Sequence, residues 1–254
     1  MIPIGISEIL KVVDGTLLWG DENGVVTNVV TDSRKAGKGS LFVPIVGERV
    51  DAHRFIPQVM QAGAGVTFSS RKDVAPAASG CCIYVEDTLA ALQKAAAYYR
   101  SRFDIPVIGV TGSVGKTTTK EMISAVLEKK YRVVKTQGNW NSQIGVAMMM
   151  FELEPETELA IFEMGMSLPG EMARLVEIAK PQTAVMTNIG VSHIGNLGSR
   201  ENIAKEKGHI VKYVGTSHDG KLYICGNGDM KQITRENVPY SLCCLLYTSP
   251  SPRD

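Results

Sequence analysis

Segments typical of strands alternate with segments typical of helices from residue 107 to residue 211. The strand-like runs are short and apolar, whereas the segments between them carry apolar residues at helical spacing. Because such alternation is typical of strands joined by right-handed helical crossovers, it predicts a parallel sheet covered by helices on both faces. The predicted strands cover residues 107–110, 131–135, 159–163 and 183–187, and the predicted helices cover residues 116–129, 144–151, 171–180 and 201–211.

The first 85 residues show a different sequence pattern. Short strand-like runs at residues 25–30, 41–45 and 65–68 are separated by turn-forming residues. This pattern predicts a small N-terminal α/β domain over residues 1–85. A helix with Asp87 or Thr88 as N-cap then opens the second domain, predicted over residues 86–240.

Residues 241–254 fit neither pattern, because an apolar run without a clear period is followed by a tail rich in Ser and Pro. Two interpretations are open: an edge strand followed by a tail, or a read-through sequence that replaces the true continuation. We favour the second and expect residues 241–254 to be a non-native tail.

Charge and composition exclude several functional classes. The chain has 254 residues, and 27 Lys and Arg against 26 Asp and Glu give a net charge of +1. No bulk field therefore draws it to nucleic acid or to an anionic membrane. It has no apolar run of membrane-spanning length and no signal-peptide pattern, so we expect a cytoplasmic protein. Its 5 cysteines lack C-x-x-C spacing and are expected to be reduced structural thiols.

A glycine turn links the first predicted strand of the second domain to the helix that follows. Gly112 and Gly115 would let the backbone wrap closely around an anion, and the start of the helix adds positive charge. Lys116 would reach the terminal phosphates of a nucleotide, and the hydroxyl of Thr117 would hold Mg²⁺. The usual pattern has a further glycine at the position of Val110, so this is a variant phosphate loop.

Two later strand ends carry candidate metal ligands. Glu163 ends the strand at residues 159–163, and His193 follows the strand at residues 183–187. Because the carboxyl ends of parallel strands meet at one sheet edge, both side chains could lie beside the phosphate loop. A solvated glutamate and a structural histidine are the alternatives. A switch or motor NTPase is disfavoured, since no strand ends in the expected Asp.

These and other stretches resemble the Mur ligase family. The matching segments are residues 31–34, 47–55, 111–121, 138–142 and 163–165, and His193 with residues 203–208. The loop extended by Thr119-Lys120-Glu121 is most similar to the member that adds D-alanyl-D-alanine to UDP-N-acetylmuramoyl-tripeptide.

The resemblance implies an α/β protein whose central domain binds ATP and whose activity is ATP-dependent amide ligation in peptidoglycan precursor synthesis. It implies ATP and two Mg²⁺ ions as cofactors, the UDP-tripeptide and D-alanyl-D-alanine as partners, and a monomer. It further implies that a C-terminal domain is missing and that this fragment is inactive alone. Alternatives are a sister or folylpolyglutamate-type ligase, and a non-catalytic nucleotide-binding or UDP-sugar-binding fragment.

The resemblance also assigns residues to the nucleotide site. The phosphate-binding residues it implies are Gly112, Ser113, Gly115, Lys116, Thr117 and Thr118, with Asn139 and Asn141 near the phosphates. Thr117 and Glu163 resemble ligands of the first Mg²⁺, and His193 resembles a ligand of the second.

Two further assignments concern a modified lysine and the precursor. Lys207 resembles the lysine that the family carbamylates with CO₂, with Lys205 as the alternative if the alignment shifts. Lys116, Lys207 and His193 are thereby implied to be catalytic. Ser33 and Arg34 resemble the site for the UDP end of the precursor.

Overall fold

The computed structural model describes residues 1–214, 221–224 and 240–242. The chain divides into two compact units. Unit 1 comprises Met1–Asp104 and Ala147–Glu156, and unit 2 comprises Ile105–Val146 and Thr157–Asp254. Each unit is built around its own sheet.

Unit 1 contains a five-stranded sheet in which β4 to β7 pair in parallel and β2 is antiparallel to β7. The spatial order is β2 (Thr16–Trp19), β7 (Cys81–Tyr84), β6 (Val66–Ser69), β5 (Ser40–Phe42) and β4 (Asn28–Val30). The unit also contains a separate antiparallel pair and three α-helices: β1 (Ile4–Gly5), β3 (Val25–Val26), α1 (Ile6–Val12), α2 (Ile56–Gln61) and α3 (Thr88–Ser101). The α/β architecture predicted for this region is confirmed.

Helix α3 belongs to unit 1 by its contacts. Asp87 caps it, since its carboxylate accepts hydrogen bonds from two N–H groups of the first turn. The buried face includes Leu92, Ala96 and Tyr99, and the Tyr99 hydroxyl donates to the Leu153 carbonyl at 2.7 Å. The sequence-based division grouped this helix with the second domain, because helical periodicity does not reveal which neighbour an apolar face will contact.

The sheet of unit 2 is parallel throughout, as the alternating pattern predicts. Its spatial order is β13 (Tyr240–Leu242), β12 (Leu222–Ile224), β11 (Thr183–Met186), β8 (Val107–Thr111), β10 (Leu159–Glu163) and β9 (Val133–Lys135). The crossover segments contain α4 (Lys116–Leu127), α5 (Gln143–Met150), α6 (Glu171–Ala179), α7 (Ile194–Leu197) and α8 (Arg200–Gly208).

Both faces of this sheet are covered, which confirms the predicted layering. Val110 and Ile161 pack in one apolar cluster with Ile123 of α4. Successive strand residues face opposite sides, and a Cβ placed on Gly109 would lie 3.1 Å from Ile210 on the other face. Ile210 lies in a short 3₁₀ helix, His209–Tyr213, which follows α8 where a longer α-helix was predicted.

The C-terminal predictions are largely outside the described residues. Residues 241 and 242 lie in β13, and residues 243–254 are outside the described part, as are Cys225, Cys243 and Cys244. Cys81 and Cys82 are buried free thiols, and burial raises their pKa values to about 11 and about 12. In the described part of the chain, no helix is both long and apolar enough to span a membrane.

Candidate nucleotide-binding site

Strand β8 lies between β10 and β11, so the carboxyl ends of these three strands meet at one edge of the sheet. The glycine loop at residues 112–115 follows β8, Glu163 ends β10, and residues 187–190 follow β11. Ligands of open parallel sheets bind at such an edge. The edge therefore holds the predicted phosphate loop and the predicted carboxylate together.

The backbone of the loop requires its glycines. Gly112 has a φ of 145°, and a Cβ on it would lie 1.9 Å from the Oγ1 atom of Thr187. Gly115 has a φ of 84° and immediately precedes α4. Residues with side chains rarely adopt such φ values, so the loop path depends on these two positions.

Residues after β11 brace the loop from one side. The N–H groups of Ser113 and Val114 donate to the backbone and side-chain oxygens of Asn188, at 3.0 and 3.1 Å. The Thr187 hydroxyl donates to the Val114 carbonyl at 2.6 Å, and the Gly190 N–H donates to Ser113 Oγ at 2.8 Å. The sequence analysis did not identify Thr187 or Asn188, although their position just beyond a strand end beside β8 was a usable signal.

The start of α4 directs positive charge toward the loop. Lys116 Nζ donates to the Gly112 carbonyl at 3.0 Å, which holds the ammonium over the loop. The first intrahelical bond runs from the Thr119 N–H to the Gly115 carbonyl at 2.9 Å. The preceding N–H groups of the first turn, Thr118 included, therefore have no acceptor within the helix and are suited to an anion.

Glu163 is the most buried charged residue among the predicted site residues, at 1% exposure. Its Oε2 accepts from the Thr117 hydroxyl at 2.8 Å, and its Oε1 accepts from Asn141 Nδ2 at 2.7 Å. Its backbone N–H donates to Thr136 Oγ1 at 2.9 Å. The carboxylate is therefore held by Thr117 of α4 and by Asn141, and the backbone is held by Thr136 at the end of β9.

The two predicted loop asparagines occupy different environments. Asn141 contacts Glu163, and its carbonyl accepts from the Gly165 N–H at 2.8 Å, so these two backbones pass closely. Asn139 is exposed and accepts from the Asn141 N–H through its carbonyl at 2.8 Å. The structure therefore brings Asn141 into the site and shows a backbone role for Asn139.

The chemistry of this donor set fits one magnesium ion. The hydroxyl of Thr117 and the carboxylate of Glu163 are hard oxygen donors, which Mg²⁺ prefers alongside phosphate oxygens. His193 is exposed, has a φ of 64° and immediately precedes α7. Within residues 1–214 and 221–224, no three His, Cys, Asp or Glu side chains cluster in a metal-binding group.

Lys207 and Lys205 differ sharply in environment. Lys207 is 2% exposed, and Lys205 is exposed. Burial and the positive charge of Lys116 together lower the pKa of Lys207 to about 8, against the opposing effect of Glu206. Glu206 in turn accepts from the Met172 N–H at the start of α6, at 2.9 Å. Lys207 is thus held in the field of the phosphate-loop lysine.

Ser33 and Arg34 lie in unit 1, in the short 3₁₀ helix Ser33–Lys35 after β4. The Asp32 carboxylate caps this helix and pairs with Arg34 Nη2 at 2.6 Å. Hydrogen bonding to Arg34 lowers the pKa of Asp32 to about 2. The Arg34 side chain remains 85% exposed, so it is accessible to a ligand.

The parallel sheet, the glycine loop that leads into a Lys-Thr helix start, and the buried strand-end carboxylate together define a phosphate-loop α/β protein. The family model described as the Mur ligase middle domain matches residues 110–244, more than half of the chain. A second model, the catalytic domain of the Mur ligase family, matches residues 25–100. The chain belongs to the Mur ligase family.

Similar proteins carry one recurrent name. A Bacillus subtilis protein named UDP-N-acetylmuramoyl-tripeptide--D-alanyl-D-alanine ligase is 44% identical over 190 residues, covering 74% of this chain and 42% of the relative. A Synechocystis protein of the same name is 46% identical over 164 residues, covering 65% of this chain and 36% of the relative. This chain therefore spans less than half the length of these relatives.

Solved structures of Mur ligases are also similar to this chain. A crystal structure of MurF from Acinetobacter baumannii has a TM-score of 0.82 at 31% identity, covering 91% of this chain and 51% of that one. MurF from Thermotoga maritima in complex with ADP has a TM-score of 0.72 at 32% identity, covering 82% of this chain and 47% of that one. This chain therefore spans about half the length of these two solved chains.

Proposed function

We propose that this chain supplies the nucleotide-binding and precursor-binding parts of a UDP-N-acetylmuramoyl-tripeptide--D-alanyl-D-alanine ligase. The observation that carries the proposal is the contact between Thr117 and Glu163 at the mouth of the glycine loop. It places two oxygen ligands suited to Mg²⁺ beside a phosphate loop. Relatives that are 44% and 46% identical to this chain bear that ligase name.

The nucleotide phosphates would lie against the first turn of α4, beside Lys116. The N–H groups of Lys116, Thr117 and Thr118 would donate to phosphate oxygens, and the Lys116 ammonium would exchange its contact with Gly112 for the terminal phosphate. Thr117 and Glu163 would hold Mg²⁺, which when bound supplies positive charge to the triphosphate. The ADP complex of the Thermotoga maritima relative supports a nucleotide in this fold.

Amide formation needs this concentration of charge. The peptide carboxylate attacks the γ-phosphorus of ATP and ADP leaves, which gives an acyl phosphate; the amine of D-alanyl-D-alanine then displaces inorganic phosphate and loses a proton. Each pair of like charges at ~4 Å costs ~4 kcal/mol at an effective dielectric near 20. Lys116 and the first-turn amides offset that repulsion in an environment already arranged before the carboxylate arrives.

Lys207 is the residue we propose for carbamylation. With a pKa of about 8, roughly a tenth of its amine is neutral at pH 7 and can add to CO₂, which gives a carbamate and releases a proton. The product is an anion beside Lys116 instead of a second buried cation. Together with His193 it would support the second Mg²⁺, while the exposed Lys205 has no comparable environment.

The remaining assignments concern the precursor and the setting of the enzyme. Ser33 and the exposed Arg34 would bind the UDP end of the tripeptide precursor, since a guanidinium suits phosphate oxygens. We propose a cytoplasmic monomer with no nucleic-acid or membrane partner, in line with the net charge of +1.

The test is amide formation by a protein that includes this chain and has the full length of the curated relatives. It is incubated with ATP, Mg²⁺, the UDP-tripeptide and D-alanyl-D-alanine, and ADP and the UDP-pentapeptide are quantified by chromatography. The proposal expects equimolar ADP and pentapeptide that require both substrates. Release of ADP driven by a different amine, with none driven by D-alanyl-D-alanine, would assign the protein to a sister ligase.

A further inference from the structure

We propose that Lys120 is a positioning residue for Glu163, and that it acts through Thr136. The inference deepens the proposed function and rests on it, because it concerns the carboxylate assigned to magnesium. Lys120 lies one turn beyond Lys116 on α4 and has no role in the site as described above.

The burial of Lys120 is the first observation. Its side chain is fully buried, whereas Met122 and Val126 on the same helix are 67% and 72% exposed. Burying an ammonium group costs free energy unless it is paired and hydrogen-bonded. A buried lysine on a helix that exposes apolar side chains therefore indicates that its ammonium makes specific contacts.

Those contacts lead to the end of β9. Lys120 Nζ donates to the Thr136 carbonyl at 2.6 Å and pairs with Glu121 Oε1 at 2.9 Å. Thr136 directly follows β9, and its own N–H donates to the Ile161 carbonyl of β10 at 3.0 Å. The lysine thus ties α4 to the backbone where β9 ends beside β10.

Thr136 connects Lys120 to Glu163. Its Oγ1 accepts from the Glu163 N–H at 2.9 Å, and the Glu163 carboxylate returns to α4 by accepting from the Thr117 hydroxyl at 2.8 Å. Thr117 and Lys120 are three positions apart and therefore lie on one face of the helix. The contacts form a closed ring from Lys120 to Thr136, Glu163, Thr117 and back along α4.

The ring predicts a selective effect on magnesium. Mg²⁺ demands near-octahedral geometry at short range, so a small displacement of one carboxylate weakens the metal far more than it weakens phosphate contacts to Lys116. The quantity to measure is the magnesium coupling, defined as the Kd for ADP without Mg²⁺ divided by the Kd with Mg²⁺. Replacement of Lys120 should lower this ratio and leave the Kd for ADP without Mg²⁺ nearly unchanged.

The experiment compares the 254-residue chain with the variants Lys120→Gln, Thr136→Val and Lys129→Gln by calorimetric titration with ADP. Thr136→Val is close in shape and keeps the carbonyl that Lys120 contacts, so it removes only the acceptor for the Glu163 N–H. We expect both ring variants to lower the coupling at least tenfold, with metal-free Kd values within threefold of wild type. Lys129→Gln, exposed just beyond α4, should leave the coupling within twofold.

A second readout is independent of metal. In Thr136→Val the Glu163 amide should exchange with solvent deuterium at least tenfold faster than in wild type, because its acceptor is gone. If Lys120→Gln does not fold, Lys120→Met replaces it, because its unbranched apolar side chain fills a similar volume and lacks the donor to the Thr136 carbonyl. Wild-type coupling and wild-type amide exchange in Thr136→Val would overturn the proposal.

Glu163→Gln separates this inference from the proposed function. If Glu163→Gln abolishes the coupling while Lys120→Gln and Thr136→Val retain it, the positioning role is wrong and the magnesium site stands. If the wild-type chain itself has no magnesium coupling, the metal assignment is wrong and the positioning role falls with it.

Discussion

The hydroxyl of Thr117 donates a 2.8 Å hydrogen bond to the carboxylate of Glu163, 46 positions further along the chain. The contact joins the first turn of α4 to the end of β10 across the mouth of the glycine loop. Both groups are oxygen donors, and one of them is nearly completely buried. A pair of this kind is arranged in the protein before any nucleotide is bound, which lowers the entropic cost of assembling a metal site.

Replacement of Thr117 by valine should remove one side of this pair while preserving its shape. We expect Thr117→Val to reduce the magnesium coupling of ADP binding about tenfold, equivalent to ~1.4 kcal/mol, because one oxygen donor is lost. Thr16→Val is the control, since Thr16 is an exposed threonine of β2 that has no place in the site. Equal losses in the two variants, measured by calorimetry, would show that Thr117 has no special role.

Gly112 should not tolerate a side chain. Alanine there would adopt a φ of 145° and place its Cβ 1.9 Å from Thr187 Oγ1, so we expect a destabilisation of about 1–3 kcal/mol. Gly195→Ala is the control, because no atom lies within 4 Å of its Cβ position and α7 is helical. Urea unfolding measures both, and a Gly112→Ala variant as stable as wild type would contradict the loop geometry.

The lowered pKa of Lys207 predicts that the stability of the folded protein depends on pH. Its pKa falls from 10.5 in an ordinary environment to about 8 in the folded protein, so between these values the unfolded chain binds more protons and the free energy of unfolding rises with pH. Below pH 8 the native state carries the buried charge, at a cost of up to about 3 kcal/mol. Lys207→Met should therefore be more stable than wild type at pH 7, with the difference shrinking toward pH 10.5.

Urea unfolding of freshly degassed samples at pH 7, 8, 9 and 10 checks this dependence, since removal of CO₂ keeps the amine unmodified. Lys205→Met is the control for removal of a neighbouring exposed lysine and should track wild type throughout. A constant stability difference between Lys207→Met and wild type across this pH range would contradict the lowered pKa.

Local pattern was sufficient to predict the sheet of unit 2, because its strands are short apolar runs separated by helical segments, and glycines precede α4 and α6. It did not predict where α3 packs, since Leu92 and Tyr99 have the same helical spacing whichever neighbour they contact. It also overextended the last predicted helix, which changes at Gly208 to a 3₁₀ helix without any proline to mark the end.

The site was predictable only where residues cluster in sequence. Lys116 and Thr117 follow directly from the glycine loop, and Glu163 follows from its place at a strand end. Thr136, Asn188 and Lys120 act through backbone contacts between segments distant in the chain, which no linear spacing encodes. Lys120 was hidden further because a lysine on a helix ordinarily faces water.

The central claim is that the glycine loop and Lys116 hold the phosphates of a nucleotide. Its most direct test is titration of the chain with ATP in excess Mg²⁺, comparing wild type with Lys116→Ala and with Lys129→Ala as the exposed control. Loss of a charged hydrogen bond of about 1.5–3 kcal/mol predicts at least tenfold weaker binding for Lys116→Ala and a change below twofold for Lys129→Ala. Equal affinity of wild type and Lys116→Ala for ATP would contradict the account.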